Sequence, residues 1–267
     1  MDTVLKIAVL GAGRMGKQVL QSIGRADGCQ LGGVWVRTGS SLLGQDLSDF
    51  TGRKPEPAGA STDIDAVVAT ADVAIDFSLP EAAPVVVEAA LDAGKPLVCG
   101  VTGLGATDLD ALHAAATEIP VLYDRNMSTG IAVLTGLVAQ AAAALSGDFE
   151  AEIHETHHVH KKDAPSGTAL KLGEALADAR GQDFAAVSRY SPDNPDERGA
   201  SGEIVFRVTR RGEVPGKHAV RFATASETLE LRHEVVSRQV FADGAVRAAR
   251  WLTEQGPGFY STLDLLG

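Results

Sequence analysis

A β-branched and aliphatic run at residues 6–10 passes directly into Gly11-Ala12-Gly13-Arg14-Met15-Gly16 and then into a helical pattern carried by Val19, Leu20 and Ile23. Strand, glycine turn and helix in immediate succession restrict the start of the chain to a parallel βα unit. The helix it opens leaves backbone N–H groups unpaired at its positive end, and the glycines let a pyrophosphate approach the backbone without meeting a Cβ. A bare Gly-x-Gly-x-x-Gly is weak in a chain with 29 glycines. Its place between strand and helix makes residues Gly11, Ala12, Gly13, Arg14, Met15 and Gly16 a predicted dinucleotide cradle.

Strands and helices continue to alternate over the next hundred or so residues. Apolar runs at residues 31–36, 73–77, 96–99 and 120–123 read as strands, and Ala-rich stretches at 84–93 and 108–116 read as helices. This is the pattern of a Rossmann-type, doubly wound parallel sheet in an α/β fold. A buried helix is predicted at 131–145, after which the texture changes. Residues 149–155, 203–210 and 228–235 alternate with period two, as strands of an antiparallel or mixed sheet do, with a helix at 166–179 between them. Residues 192–202 are polar and rich in Pro and Gly, the composition of a loop. A last helical stretch at 242–252 returns to the first domain. The expected organisation is a dinucleotide-binding domain of residues 1–126 and 239–267, with an α+β substrate-binding and oligomerisation domain of residues 127–238.

The second strand of such a unit normally ends in an Asp or Glu that bonds the ribose hydroxyls of NAD; here the sequence is Val34-Trp35-Val36-Arg37. With Arg14 and Lys17 close to the glycine turn, Arg37 is expected to pair with a 2′-phosphate, which favours NADPH over NADH.

Bulk properties narrow the partners. A formal net charge of −11 over 267 residues repels polyanions, so nucleic acid is not an expected partner, and an anionic substrate needs a local cationic pocket. Cys29 and Cys99 sit in apolar segments without metal spacing, as reduced core thiols of a cytoplasmic protein do. The first residues show no signal-peptide pattern. The apolar stretch at 131–145 is too short to span a bilayer, so no membrane is expected.

Four histidines and two lysines fall within residues 154–162 of this acidic chain, in His154-Glu155-Thr156-His157-His158-Val159-His160-Lys161-Lys162, and Asp163-Ala164-Pro165-Ser166-Gly167-Thr168 comes directly after. A hydride transfer to one atom of a double bond requires a proton at its partner, and a histidine suits the proton. Lys161 supplies charge for an anionic substrate. Ser166, Gly167 and Thr168, at a helix start, supply N–H groups, a hydroxyl and the positive dipole end. His154 and His160 read as supporting or structural residues. A rival reading takes His154, Glu155 and His158 as the His-Glu-x-x-His of a zinc hydrolase, but that motif needs a helix to put both histidines on one face, and this segment alternates like a strand. No metal is therefore expected. A non-catalytic NADP-binding sensor is a further alternative, disfavoured because a sensor needs no proton donor.

The stretch from Glu155 through Ala169 resembles the signature of the 4-hydroxy-tetrahydrodipicolinate reductase family, formerly dihydrodipicolinate reductases. The resemblance extends along the chain through Gly39-Ser40-Ser41-Leu42-Leu43-Gly44, Asp76-Phe77-Ser78, Gly100-Val101-Thr102-Gly103, Asn126-Met127-Ser128 and Phe241-Ala242-Asp243-Gly244-Ala245. It implies an NAD(P)H-dependent reduction of a cyclic imine dicarboxylate in lysine and diaminopimelate biosynthesis, with hydride from nicotinamide C4. His157 is then the proton donor and Lys161 assists with substrate charge. His158, Ser166, Gly167 and Thr168 hold a carboxylate, with Thr102 and Arg238 as further substrate contacts. Phe77, Gly100, Thr102, Asn126, Met127 and Ser128 contact the cofactor. The resemblance also implies a Rossmann domain completed by the C-terminal helix, a homotetramer assembled through the second domain, and hinge closure that excludes water. The chain departs from the family pattern in a glycine turn one residue shorter, in Val36 where many members carry a carboxylate, in Leu79 where a cation often stands, and in Asp124-Arg125 before the Asn.

Overall fold

The computed structural model describes residues 4–54, 56, 58–145, 147–190 and 199–267. The chain divides into two compact units, Met1–Ser128 with Arg238–Gly267, and Thr129–Ser237.

The first unit runs β1 (Leu5–Leu10), α1 (Arg14–Arg25), β2 (Cys29–Trp35), α2 (Ser48–Thr51), β3 (Ala60–Ser61), α3 (Ile64–Ala69), β4 (Val73–Asp76), α4 (Ala83–Asp92), β5 (Leu97–Cys99), α5 (Ala106–Ala115) and β6 (Pro120–Tyr123). The second unit holds α6 (Thr129–Ala144), β7 (Glu150–His157), α7 (Gly167–Ala179), α8 (Phe184–Val187), β8 (Ser188–Tyr190), β9 (Ile204–Arg210), β10 (Gly216–Ala223) and β11 (Thr228–Val235). The chain then returns to the first unit with α9 (Gln239–Leu252) and β12 (Gly258–Tyr260).

Among the described residues the first unit builds one sheet in the order β12-β6-β5-β4-β1-β2-β3, with every pairing parallel. Its strands are apolar on both faces because both faces are covered. Along β1, Ile7 and Val9 join one core with residues of α1 and α9, while Ala8 and Leu10 join the other with residues of α3, α4 and α5. From β1 the chain moves outward through β2 and β3, then returns to β4 on the other side. The strand order therefore reverses between β1 and β4, where open parallel sheets bind their ligands. The short elements α2, β3, α3 and β12 have too few residues to show a period and are absent from the sequence expectation.

The second sheet has the order β11-β10-β7-β9-β8 and is mixed. β10 is antiparallel to β7 and to β11, but β9 is parallel to both β7 and β8. A purely antiparallel reading of the period-two segments thus fails at β9: α7, α8 and β8 lie between β7 and β9 and return the chain to the same end, a crossover connection. β10 is also absent from the sequence expectation, although Lys217-His218-Ala219-Val220-Arg221-Phe222 alternates as a strand should. Of the polar segment predicted as a loop, residues 192–198 lie outside the described residues, and 199–202 form no strand.

The inner face of this sheet changes character along the strands. Ala151, Ile153, Ile204, Phe206, Val220 and Phe222 pack with Leu134, Val138, Leu172 and Leu176 of α6 and α7. Beyond Ile153 the same face of β7 presents Glu155 and His157. Their neighbours in register are His218 of β10 and Val208 and Arg210 of β9. Where the apolar packing ends, a polar cluster begins.

Candidate active site

In the first unit the glycine turn lies at the point where the strand order reverses. Gly11 has φ +87, a left-handed conformation, and a Cβ there would stand 2.7 Å from Ser78 Cα and 2.9 Å from the Phe77 carbonyl oxygen. A Cβ on Gly16 would meet the Gly11 carbonyl oxygen at 1.9 Å, whereas one on Gly13 would meet nothing within 4 Å. Gly11 and Gly16 close the turn on the protein itself, and Gly13 faces open space. Gly13 caps α1 with no side-chain hydrogen bond, and the first turn of the helix carries no acidic residue. The turn is therefore open to an anion such as a pyrophosphate, which Arg14 and the N–H groups at the start of α1 could hold.

The loops after β4, β5 and β6 complete this end. Asp76 is fully buried at the end of β4 and its Oδ1 accepts a hydrogen bond from Ser78 N–H at 2.8 Å, which shapes the Phe77-Ser78 turn. Burial pushes the Asp76 carboxyl up to about 6 against the hydrogen bonds from Ser78, and burial with the neighbouring Asp76 pushes the Cys99 thiol up as well. The Phe77 ring lies over Gly100, where a Cβ would stand 2.4 Å from it. Thr102 is exposed just beyond. Asp124 accepts from Asn126 N–H, and Asn126 Oδ1 accepts from Ser128 N–H. The Met127 side chain is in the hydrophobic core and Ser128 is fully buried, so at Met127 a ligand is left the backbone. Arg37 is exposed in the turn after β2, where its carbonyl accepts from Ser40 N–H. Lys17 lies over the Phe50 ring, 5.5 Å from its centroid. Arg238 caps α9 and belongs to this unit.

In the second unit, one carboxylate gathers the polar cluster. The Glu155 side chain is fully buried on the inner face of β7. It accepts hydrogen bonds from Ser166 N–H at 3.1 and 3.2 Å and from both terminal nitrogens of Arg210 at 3.2 Å. His157 Nδ1 lies 3.3 Å from Glu155 Oε2, an ion-pair distance whose bent approach falls short of hydrogen-bond geometry. The His218 ring meets that of His157 edge-on with centroids 5.0 Å apart, and its Nε2 is 3.4 Å from Ser166 Oγ. Burial pushes the Glu155 carboxyl up, but contacts with His157 and Ser166 and the charge of Arg210 outweigh it and hold the group down at about 2. Burial, with His157 close by, pushes His218 down to about 3, which keeps it neutral.

Ser166 caps α7, its Oγ accepting from Ala169 N–H at 3.2 Å, and Gly167 and Thr168 form the first turn. Arg210 also donates to the carbonyls of Lys161 and Asp163, so it ties the loop after β7 to Glu155. Lys161 Nζ pairs with Asp163 at 2.8 Å. His158 comes just after the strand end, its ring 6.1 Å from that of His160, which is exposed and pairs with Glu213. The structure thus brings together His157, Ser166, Gly167 and Thr168 around Glu155, with Lys161 on the adjoining loop. Sequence reasoning considers Glu155 only as a zinc-hydrolase residue and misses Arg210 and His218. Their sole local signal is the period-two alternation that puts them on the same face.

The His154-Glu155-x-x-His158 pattern lies on a strand and its end. His154 faces the opposite side of the sheet from Glu155, where it pairs with Glu152 at 3.0 Å. In a strand successive side chains point to opposite faces, so the three zinc-hydrolase residues do not converge. Glu155, His157 and His218 do offer ligand atoms within 4.8 Å of one another. The guanidinium of Arg210 already occupies that carboxylate, and a second cation there would face its charge. No helix among the described residues is long and apolar enough to cross a membrane.

Comparison with known proteins agrees along the whole chain. Residues 5–127 match the family described as Dihydrodipicolinate reductase, N-terminus, and residues 130–266 match Dihydrodipicolinate reductase, C-terminus. The chain is 43% identical to the 4-hydroxy-tetrahydrodipicolinate reductase of Halorhodospira halophila, over 98% of its own length and 99% of the relative's. It is 42% identical to the enzyme of that name from Alkalilimnicola ehrlichii, over 98% of both chains. In fold it is similar to a dipicolinate-bound dihydrodipicolinate reductase from Paenisporosarcina sp. TG-14, with a TM-score of 0.76, 21% identity and 97% of each chain covered. With both halves matched and relatives this similar over nearly their full length, the chain belongs to the dihydrodipicolinate reductase family, whose members are now named 4-hydroxy-tetrahydrodipicolinate reductases.

Proposed function

We propose that this protein reduces 4-hydroxy-tetrahydrodipicolinate to tetrahydrodipicolinate with NAD(P)H, in lysine and diaminopimelate biosynthesis. The observation that carries the reading is the convergence of His157 and the start of α7 on the buried carboxylate of Glu155, in a chain whose family carries out this reduction. When bound, NAD(P)H supplies hydride from nicotinamide C4.

The chain's own residues do the rest. The turn at Gly11–Gly16 holds the pyrophosphate, and Phe77, Gly100, Thr102, Asn126, Met127 and Ser128 line the nicotinamide end. Ser166, Gly167 and Thr168 grip one substrate carboxylate with N–H groups and a hydroxyl at the positive end of α7, and His158 assists. Lys161 exchanges Asp163 for substrate charge, with Thr102 and Arg238 as further substrate contacts. With the 4-hydroxyl lost as water to leave a conjugated imine, His157 delivers a proton from Nε2 to the carbon next to the one that takes hydride, so that overall the substrate gains one hydride and one proton and loses one water.

Arg37, with no carboxylate at the end of β2, supports a preference for NADPH through its charge on a 2′-phosphate. The reading is tested by following NADPH absorbance while substrate is generated from pyruvate and aspartate semialdehyde. Oxidation dependent on both precursors supports it, and no oxidation with intact nucleotide binding would point to an NADP-binding sensor. The same assay with NADH tests the preference, which fails if both nucleotides serve equally.

A further inference from the structure

We propose that Glu155 is a positioning residue that sets which nitrogen of His157 releases the proton and, through the same carboxylate, holds the donor in register with the cradle at the start of α7. The inference rests on His157 being the acid of the reduction proposed above.

The geometry supports each half. His157 Nδ1 is buried, has no hydrogen-bond acceptor of its own among the described residues, and has Glu155 Oε2 at 3.3 Å. Polar contacts of this kind are often bent in the absence of substrate and straighten in the reacting complex. The hydrogen bond made by one ring nitrogen of a histidine decides the state of the other. A proton kept at Nδ1 by the carboxylate leaves Nε2 as the nitrogen that gives its proton up, and the neutral ring afterwards retains Nδ1–H. Room exists at Nε2 because residue 216 is glycine: a Cβ there would stand 3.3 Å from that nitrogen.

The second half concerns the cradle. The Glu155 oxygen that faces His157, Oε2, also receives Ser166 N–H at 3.2 Å, eleven residues further along the chain. Donor and cradle are therefore referred to one group, and a shift of either moves against the other. Two neighbours make the arrangement durable. Arg210 balances the carboxylate charge and fastens it to the loop bearing Lys161. His218, 3.9 Å from Glu155 Oε2 and held neutral by burial, brings no competing charge.

The test uses Glu155→Gln, which keeps the volume and an acceptor for Ser166 N–H but loses the charge. Imidazole ¹⁵N signals of His157, assigned with a His157→Ala variant, are read in alkaline buffer alongside steady-state kinetics. The wild type is expected to carry its ring proton at Nδ1. The variant is expected to lose that preference and to fall about tenfold to a hundredfold in kcat, with an unchanged KM for the nucleotide. Wild-type protonation at Nε2 overturns the proposal, as does a folded variant that keeps both tautomer and kcat. If the variant does not fold, Glu155→Asp keeps the charge on Arg210 but withdraws by one methylene, and the same two losses are expected. Unchanged values there overturn it equally. A merely structural role would lower the melting temperature and leave the tautomer alone. Should the wild type itself show no reductase activity, the proposed function fails while the ¹⁵N signals still decide the role of Glu155.

Discussion

His157 and Asp76 are both buried ionisable side chains, but they differ in what surrounds them. His157 has a carboxylate, a second imidazole and a glycine beside it, the setting of a group that exchanges a proton. If it is the acid of the reduction, His157→Ala is expected to cut kcat by about two orders of magnitude or more, with an unchanged circular dichroism spectrum, since general acids contribute on that scale. Wild-type turnover would remove it from the mechanism. No cation among the described residues acts on Asp76, only the Ser78 turn and the Cys99 thiol, and burial pushes it up to about 6 from 3.8. An acid raised in this way favours the folded state fully below its unfolded pKa, and the contribution is lost as pH rises through the folded value. The swing is about 3 kcal/mol. Asp76→Asn keeps an acceptor for Ser78 N–H and removes the ionisation. Between about pH 4 and about pH 7 the wild-type melting temperature is therefore expected to fall relative to that of the variant. Parallel curves would place the ionisation outside this window.

At the scale of elements, the glycine turn separates residues that shape the fold from those left open to a ligand. Gly16→Ala drives a Cβ to 1.9 Å from the Gly11 carbonyl oxygen, and Gly244→Ala drives one to 1.7 Å from the Met127 carbonyl oxygen, where α9 meets the loop after β6. Each is expected to cost about 3 kcal/mol or more in chemical denaturation, because backbone cannot yield as a side-chain tip can. Gly13→Ala meets nothing within 4 Å and has an ordinary φ of −69, so it should fold as well as wild type. Nucleotide affinity in titration calorimetry should nevertheless fall about tenfold or more if pyrophosphate occupies that space. Equal affinity would mean that the phosphates bind elsewhere. Motif and secondary structure are both legible at this scale: Gly11 through Gly16 form the turn, and the long helices and strands come within a few residues of their predicted ends. β10 has the right alternation and is missing from the prediction all the same, while α2, β3 and β12 are too short for any period to show.

For the whole molecule, the open face of the second sheet carries Glu152, His154, Arg207 and Arg221 joined by ion pairs, with Lys217 and Glu234 paired nearby. The homotetramer implied by family resemblance is expected in analytical ultracentrifugation as a species of four chains, each of 27.7 kDa. A monomer at micromolar concentration would end that expectation. Residue order alone settles what is local: a strand, turn and helix at the start of the chain, an alternation of elements, and a run of imidazoles, ammonium groups and a helix start within one short stretch. These are legible because hydrophobic period and glycine placement act over a few residues. Folding in three dimensions was needed to set β9 parallel to β7 and to bring Arg210, His218 and Ser166 together at Glu155. Those contacts join residues 11, 55 and 63 positions away from it. They exist because strand pairing and burial bring distant segments together, and a buried carboxylate must find its partners wherever the fold places them.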